Sequence, residues 1–418
     1  MRRRGFLQLA AAAAAGATGA ARALAAPAAG RVVIAGGGFA GSSCALRLRS
    51  LNPRLQVTLV DPQSNYVTCP MSNAALVGLR SMRSLTITRH AIARAGVRYL
   101  RRRVTAIDAE RRTVTLAGGE LIAYDKLVVA PGIRFRFGTP AGYDAAAARH
   151  MPHAWEAGAQ TELLAAQLRA MPAGGTVAIS VPAGLMRCPP GPYERASLIA
   201  FWLKQHKPRS KVLIFDSNNH FPRQDLFTAA WEALYPGLIE WVPSTQGGAL
   251  TRVDVPASTL HSDSGAHRVA VANIIPPQAP GALAAQAGLA TGHGWCPVNG
   301  ASFESLVVPG IYVIGDAAIA GSMPKAASAA FSQAQRCATA IDAALAGREA
   351  TLPELESVCY SLLAPDSALA IHARFALAGG ELQQLAPTAG QPAPAASPEL
   401  AVEATQWYQK ICRDSFAV

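Results

Sequence analysis

Cysteine is the residue type in this sequence whose positions are best suited to redox chemistry. The chain of 418 residues contains seven, namely Cys44, Cys69, Cys188, Cys296, Cys337, Cys359 and Cys412. Cys188 stands between Arg187 and two prolines, and an adjacent arginine predicts a lower thiol pKa, which favours disulfide exchange. Spacing alone does not identify its partner, because six cysteines already allow fifteen pairings and the seventh stays unpaired.

Cys69 lies in the segment NYVTCPMSN, residues 65–73, eight positions after Asp61. A buried structural cysteine is the ordinary interpretation of such a residue. The sequence contains neither C-x-x-C nor C-x-x-C-H, so it has no zinc-ribbon signature and no site for covalent haem. His90, His153 and the other histidines lack metal-ligand spacing, and no metal site is predicted.

A glycine turn between a predicted strand and a predicted helix indicates a dinucleotide site. The strand 31–35 leads into Gly36-Gly37-Gly38-Phe39-Ala40-Gly41, the helix 42–51 and the strand 56–60, which ends at Asp61. Gly36 permits the tight turn, Gly38 lets the backbone approach a pyrophosphate, and Gly41 allows close helix packing. Phe39 and Ala40 belong to the same turn, and Asp61 is expected to accept the ribose hydroxyls.

Two later segments favour FAD as the dinucleotide. Residues 124–132 predict a strand that runs into the turn Pro131-Gly132, and residues 311–317 predict a strand followed by Gly315 and Asp316. In two-dinucleotide flavoproteins, the second pattern places the Asp against the ribitol. Each segment alone is also compatible with an ordinary core strand and turn, but both together in this order favour FAD over NAD.

A nicotinamide fingerprint is missing from the second predicted domain. The strand 176–181 runs into Pro182, and one glycine stands where three are needed. Proline has no backbone N–H to offer a phosphate. NAD(P)H is therefore not expected to be the electron donor.

The composition and the N-terminal residues limit the class of protein to which the chain can belong. Half of the residues are hydrophobic and 15% are charged, which excludes a disordered chain. Residues 1–25 combine paired arginines, an Ala-rich segment and an A-x-A site, which predicts a twin-arginine export signal and a periplasmic location; a basic disordered tail is the alternative. Cleavage there removes four arginines and no acid, lowering the formal charge from +12 to +8. Later residues predict neither a membrane span nor nucleic-acid binding.

The cysteine-centred blocks resemble the flavoprotein subunit of flavocytochrome c sulfide dehydrogenase, over essentially the whole mature chain. The matching blocks are YVTCPMSN at 66–73, RCPPGPYER at 187–195, GWCPV at 294–298, GDA at 315–317 with MPK at 323–325, CYSLLAP at 359–365 and WY at 407–408. The blocks around cysteines are specific, whereas the glycine turn is shared by many flavoenzymes.

The resemblance implies a role for individual residues. Cys69 corresponds to a cysteine bonded covalently to FAD, and Cys188 and Cys359 correspond to a redox-active disulfide beside the flavin. Sulfide would attack that disulfide as HS⁻, and electrons would pass through the flavin to the haem of a separate c-type cytochrome subunit in a heterodimer. Lys325 corresponds to a position where a cation stabilises reduced flavin; an ordinary surface lysine is the alternative.

The fold implied is α/β, with two dinucleotide-binding-like domains of the glutathione-reductase type, parallel sheets and a C-terminal interface domain. The predicted boundaries are 31–150 and 269–345 for the FAD domain, 151–268 for the second domain and 346–418 for the interface domain, where the pattern is irregular. A sulfide:quinone reductase-like flavoprotein is one alternative function, although residues 380–418 are polar and Pro-rich for a membrane-facing surface. An exported redox-inert binding protein on the same fold is another.

Overall fold

The computed structural model describes residues 29–292, 294–386 and 395–418. The predicted export signal, residues 1–25, lies outside the described residues. The helices of the described part are α1 Phe39–Leu51, α2 Ser72–Leu76, α3 His90–Arg94, α4 Ala159–Ala170, α5 Gly191–His206, α6 Gln224–Leu234, α7 Ala282–Gln286, α8 Ala327–Ala346 and α9 Pro398–Phe416.

The strands of the described part are short except for two near the C-terminus. They are β1 Arg31–Ala35, β2 Gln56–Val60, β3 Asn65–Val67, β4 Thr86–Thr88, β5 Arg98–Leu100, β6 Val104–Asp108, β7 Thr113–Leu116, β8 Leu121–Ala123, β9 Lys126–Val129, β10 Ile133–Phe135, β11 Thr176–Val181, β12 Lys211–Asp216, β13 Ile239–Val242, β14 Leu250–Asp254, β15 Thr259–Ser262, β16 Gly265–Arg268, β17 Val271–Ile274, β18 Gln278–Pro280, β19 Cys296–Pro297, β20 Ile311–Val313, β21 Ala318–Ile319, β22 Leu355–Ala364, β23 Ser367–Ala378 and β24 Glu381–Gln384.

The first parallel sheet has the strand order β20-β9-β1-β2-β5. Its central strand β1 is a run of small and branched apolar residues, and Val32, Val33 and Ile34 are buried. Such a continuous apolar run is typical of a parallel strand covered on both faces. The helices α1 and α8 pack against each other beside this sheet, and the carboxyl ends of its strands carry the predicted flavin-binding turns.

The second parallel sheet has the order β13-β12-β11-β17. Because β17 (Val271–Ile274) pairs with β11, the chain leaves this domain later than the boundary predicted at residue 269. The apolar residues of β17 are compatible with either sheet, and only long-range pairing decides between them. After β17, the strand β18 pairs with β10 of the first domain.

The described part of the C-terminal region, residues 346–386 and 395–418, forms regular elements, which corrects the expectation of an irregular pattern after residue 345. It forms the antiparallel sheet β22-β23-β24 and the helix α9, which packs on β23 and on α1. The side chain of Ser397 caps α9 by accepting a hydrogen bond from the N–H of Leu400 at 3.3 Å. Among the helices of the described residues, none has the length and apolar character needed to span a membrane.

Candidate active site

A cavity of about 630 Å³ lies where the first sheet, the second domain and the C-terminal sheet meet. Most of the residues predicted to bind the cofactor or react with substrate line this cavity: Gly36, Gly38, Phe39, Ala40, Asp61, Cys69, Pro131, Gly132, Cys188, Gly315, Asp316 and Cys359. Gly41 and Lys325 are predicted residues that do not line it. Positions far apart in the sequence therefore converge on one enclosed space.

The glycine turn is built as its spacing predicts. Gly36 has φ +109°, and a Cβ there would lie 2.1 Å from the carbonyl oxygen of Ala130. A Cβ on Gly41 would lie 1.8 Å from the carbonyl oxygen of Gly36, so α1 can approach the turn only with glycine at that position. The backbone N–H of Gly37 donates to the Asp61 carboxylate at 2.7 Å, which ties the end of β2 to the turn.

Arg89 is a candidate binding residue that spacing arguments missed. Its side chain is buried beside the turn, and its Nε and Nη2 atoms have no hydrogen-bond partner in the protein. The Asp61 carboxylate is 3.9 Å away, at the limit of an ion pair. A buried guanidinium with free N–H groups beside a glycine turn and a helix N-terminus fits a dinucleotide that carries phosphates. The turn, Arg89 and Asp61 together therefore fit FAD.

The second flavin-binding segment is a 3₁₀ turn, Gly315–Ala317, that follows β20. Gly315 has φ +76°, and a Cβ there would lie 2.9 Å from the Cβ of Ala40. This close approach brings the two predicted cofactor segments together. Partial burial raises the pKa of Asp316, while the cations of Arg187 and Lys325 oppose the shift.

Lys325 lies behind this turn. Its Nζ donates to the carbonyl oxygens of Asp316 at 2.9 Å and Ala318 at 2.7 Å, and it lies 3.7 Å from the centre of the Trp295 ring. Burial lowers the pKa of Lys325 to about 8. The ammonium group is bound to the protein backbone rather than aimed into the cavity, so its position differs from that expected for a counter-charge of reduced flavin.

Cys188 and Cys359 reach the cavity from different domains. Cys188 lies in the loop before α5, and Cys359 lies on β22. In the described residues all seven cysteines are free thiols. Cys188 has φ +54°, a left-handed conformation that is uncommon for a residue with a Cβ and that concentrates at functional sites.

The expectation that Arg187 gives Cys188 a lowered pKa is wrong. Desolvation raises the pKa of Cys188 well above its usual value, with further increases from Cys359 and Glu194, and Arg187 opposes the shift without reversing it. Desolvation also raises the pKa of Cys359 to about 11, although hydrogen bonds from Ser357 and Ser328 limit the increase. Neither thiol is a ready nucleophile at neutral pH.

Glu194 is the second residue that spacing arguments missed as a site residue. It lies in the first turn of α5 and lines the cavity. One carboxylate oxygen accepts a hydrogen bond from the N–H of Leu362 at 3.1 Å, and the other accepts from the Asn73 side-chain amide at 2.8 Å. Desolvation raises the pKa of Glu194 to about 7, against the lowering effect of both hydrogen bonds and of Arg195. A carboxyl group with this pKa exchanges protons readily near neutrality.

Cys69 lies on another wall of the cavity, between β3 and α2. Its sulfur is 3.9 Å from the carbonyl oxygen of Trp155. The next residue but one, Met71, has φ +66° and immediately precedes α2, so the backbone turns sharply beside the thiol. The predicted flavin-attachment residue is thus held on the rim of the same cavity as the other two cysteines.

The end of the second sheet, where a nicotinamide nucleotide binds in folds of this kind, carries an acid that is paired with protein side chains. Asp216, at the end of β12, is fully buried and accepts hydrogen bonds from the Tyr193 hydroxyl at 2.5 Å and the Trp241 indole at 2.9 Å. The Tyr193 ring stacks on Phe221 with centroids 3.7 Å apart. The acid that would bind a ribose in a nucleotide site already has protein partners, which gives a physical reason for the expected lack of NAD(P)H binding.

Family comparisons match residues 30–276 and 351–416 of this architecture. Residues 30–163 match the family described as pyridine nucleotide-disulphide oxidoreductase. Residues 161–276 match the central region of the flavoprotein chain of sulfide dehydrogenase (flavocytochrome c), and residues 351–416 match the flavin-binding region of flavocytochrome c sulphide dehydrogenase. The fold and site thus define a FAD-binding oxidoreductase with two dinucleotide-binding-like domains.

Individual relatives agree with this class. The chain is 59% identical over 44 residues to the sulfide dehydrogenase (flavocytochrome c) flavoprotein chain of Chlorobaculum thiosulfatiphilum, covering 10% of this chain and 92% of that sequence. It is 30% identical over 108 residues to a sulfide-quinone reductase of Aquifex aeolicus, covering 26% of this chain and 25% of the relative. The solved sulfide:quinone oxidoreductase of Aquifex aeolicus has the same fold, with a TM-score of 0.73, 18% identity and coverage of 93% of this chain and 92% of that one. The chain belongs to the family of the flavoprotein chain of flavocytochrome c sulfide dehydrogenase.

Proposed function

We propose that this chain oxidises sulfide with bound FAD, through a disulfide of Cys188 and Cys359, and passes the electrons to the haem of a c-type cytochrome subunit. The observation that carries the proposal is the convergence of these two cysteines on the cavity lined by the flavin-binding turns. The charge of a Cys359 thiolate raises the pKa of Cys188, and this effect is the largest after desolvation. Family membership supports the substrate and the partner.

The cavity residues divide into those that hold FAD and those that act on sulfur. The turn at 36–41, Asp61 and Arg89 would hold the dinucleotide portion, Asp316 would hold the ribitol, and Cys69 would supply a covalent bond. When bound, FAD accepts two electrons and releases them one at a time. Because this sequence lacks C-x-x-C-H, the haem belongs to the partner.

The sulfur step begins when HS⁻ attacks Cys188 in the disulfide. The S–S bond breaks, Cys188 becomes a persulfide, and Cys359 leaves as a thiolate that keeps the electron pair of the broken bond. Cys359 is the better leaving group, because hydrogen bonds from Ser357 and Ser328 stabilise its thiolate and limit the rise in its pKa. The carboxylate of Glu194 accepts the proton that HS⁻ brings to the persulfide.

Location follows from the same proposal. The arginine pair and A-x-A site within residues 1–25 support export by the twin-arginine route to the periplasm. That route carries folded proteins, so FAD can be attached before export. A covalent bond through Cys69 then retains a cofactor that has no supply outside the cytoplasm.

An anaerobic sulfide titration tests the function. We expect sulfide to bleach the flavin absorbance of the wild type, whereas Cys188→Ser and Cys359→Ser retain oxidised flavin. Cys296→Ser is the matched control, because Cys296 is a buried thiol that does not line the cavity. Thiol counting on the denatured protein should find two fewer free thiols before reduction than after it. Unchanged turnover in either active-site variant contradicts the mechanism, and turnover with a soluble quinone but not with cytochrome c contradicts the proposed acceptor.

A further inference from the structure

Glu194 is attached to all three segments that bear the proposed reactive cysteines. Its own helix follows Cys188, its first carboxylate oxygen binds the N–H of Leu362 three residues after Cys359, and its second binds the side chain of Asn73 four residues after Cys69. The first contact uses the backbone, which every residue at position 362 other than proline would supply. The contact with Asn73 depends on the side chain.

Asn73 is buried, and both the nitrogen and the oxygen of its side-chain amide form hydrogen bonds. Its Nδ2 donates to Glu194 at 2.8 Å and to the carbonyl oxygen of Gly191 at 3.2 Å, while its Oδ1 accepts from Nε of Arg195 at 2.9 Å. The amide thus lies between a carboxylate and a guanidinium and matches each with the correct atom. Arg195 is buried too, and it is held from its other side by the Asn273 side chain at 2.8 Å and the Ala154 carbonyl oxygen at 2.6 Å.

We propose that Asn73 is a positioning residue for sulfide oxidation, whose side-chain amide holds the Glu194 carboxylate in the cavity and links it to the buried Arg195 cation. The inference rests on the proton-accepting role proposed for Glu194. It assigns a second role to the flavin-attachment segment, because α2 follows Cys69 directly. The same segment that carries the flavin bond sets the pH at which the site accepts a proton.

The direction of the effect follows from the groups around Glu194. Those that can be charged are Arg195 on its own helix, Cys188 before that helix and Cys359 on β22, and α2 contributes the neutral amide of Asn73. A hydrogen bond donated to a carboxylate favours its charged form. Loss of the amide donor therefore raises the pKa of Glu194 above its present value of about 7 and makes the carboxylate scarcer at neutral pH.

Two variants separate this role from general loss of structure. Asn73→Asp keeps the shape and the acceptor for Arg195 but replaces the donor with oxygen, and Asn73→Ala removes both contacts. Asn218→Ala is the matched control, because Asn218 is a half-buried asparagine that binds Asp216 and Pro182 in the second domain. The first measurement is the pH profile of flavin reduction by sulfide in the holoprotein. We expect its acid limb to move to higher pH by about one unit, which lowers the rate below that limb about tenfold.

The second measurement does not depend on turnover. Infrared titration of the oxidised holoprotein follows the carboxylic acid C=O band that Glu194→Gln abolishes. Its midpoint should rise in both Asn73 variants, more in Asn73→Asp, and stay unchanged in Asn218→Ala. A midpoint unchanged in both Asn73 variants overturns the proposal, as does an equal shift in Asn218→Ala. If sulfide fails to reduce the wild-type flavin, the proposed function fails, yet the infrared titration still decides the role of Asn73.

Discussion

At the scale of single residues, a role can be predicted from the sequence where backbone geometry restricts the residue type. The turn glycines follow from spacing, since a Cβ at Gly36 or Gly41 would overlap a carbonyl oxygen. Glu194 and Arg89 were not predictable in the same way. Their roles come from neighbours distant in the sequence, which desolvate the carboxyl of one and leave donors of the other without partners.

Cys69 gives the most direct prediction at this scale. In the wild type, flavin colour should stay with the pellet after acid precipitation, because a covalent bond survives unfolding. Cys69→Ala should release its FAD into the supernatant, whereas Cys188→Ala should retain it and lose the reaction with sulfide. Flavin absorbance of pellet and supernatant measures both. Release of flavin from the wild-type pellet would contradict covalent attachment.

Arg89 should contribute to non-covalent affinity for FAD. In a Cys69→Ala background, Arg89→Met keeps most of the buried volume but removes the unpaired N–H groups. We expect the dissociation constant for FAD to rise about tenfold or more, as for loss of a charge-assisted hydrogen bond. Fluorescence titration with FAD measures the change, and Arg83→Met, at an exposed position nearby, serves as the control. Equal affinity in the two variants would exclude Arg89 from the binding site.

At the scale of elements, buried parallel strands were the easiest to predict. The strands 31–35, 56–60 and 176–181 have the expected bounds, because each consists mainly of buried apolar residues and is followed by a turn residue. The strand with which such a strand pairs is harder to predict from the sequence. Thus β17 pairs with the second sheet rather than the first, and the residues of the long hairpin β22-β23 pair regularly although their sequence pattern is irregular.

The 3₁₀ turn Gly315–Ala317 depends on Lys325 for its shape. Lys325→Met removes the donor for two backbone carbonyls while keeping an apolar stem against Trp295. We expect the free energy of unfolding to fall by about 1–3 kcal/mol, because buried acceptors are left without a partner. The flavin reduction potential should change little, since the ammonium does not line the cavity. Chemical denaturation and spectroelectrochemistry measure the two quantities; a large fall in potential without loss of stability would favour the counter-charge role instead.

At the scale of the whole molecule, three regions of the chain close one cavity, and its pH response depends on groups buried between them. His153 lies in this contact region and is buried, with its Nδ1 accepting the N–H of Trp155 at 3.0 Å. Desolvation lowers the pKa of His153 from 6.5 to about 4, with smaller contributions from Arg195 and Arg187. As the pH falls, His153 therefore binds a proton in the unfolded chain at a higher pH than in the folded chain.

Stability should accordingly fall as pH decreases from about 6.5 to about 4, the interval between the unfolded and folded pKa values of His153. The lost contribution amounts to roughly 2–3 kcal/mol at the lower end. His153→Gln should flatten this part of the stability curve, while His372→Gln, at an exposed position, should leave it unchanged. Urea unfolding at a series of pH values measures the slope. A slope in His153→Gln equal to that of the wild type would contradict the assignment.

The stack of Tyr193 on Phe221 at the end of the second sheet bears on the path of electrons through the molecule. If a nicotinamide nucleotide could also reach the flavin, electrons could pass between the sulfur chemistry and the cell's NAD(P)H pool. Because Asp216 already accepts hydrogen bonds from Tyr193 and Trp241, and Tyr193 is stacked on Phe221, this carboxylate is not free to bind the ribose of such a nucleotide. We expect that restoring three glycines after β11 would not by itself create a nucleotide site, because Asp216 would keep its two hydrogen-bond partners. We therefore expect electrons to enter and leave the flavin without a nicotinamide nucleotide bound to the second domain.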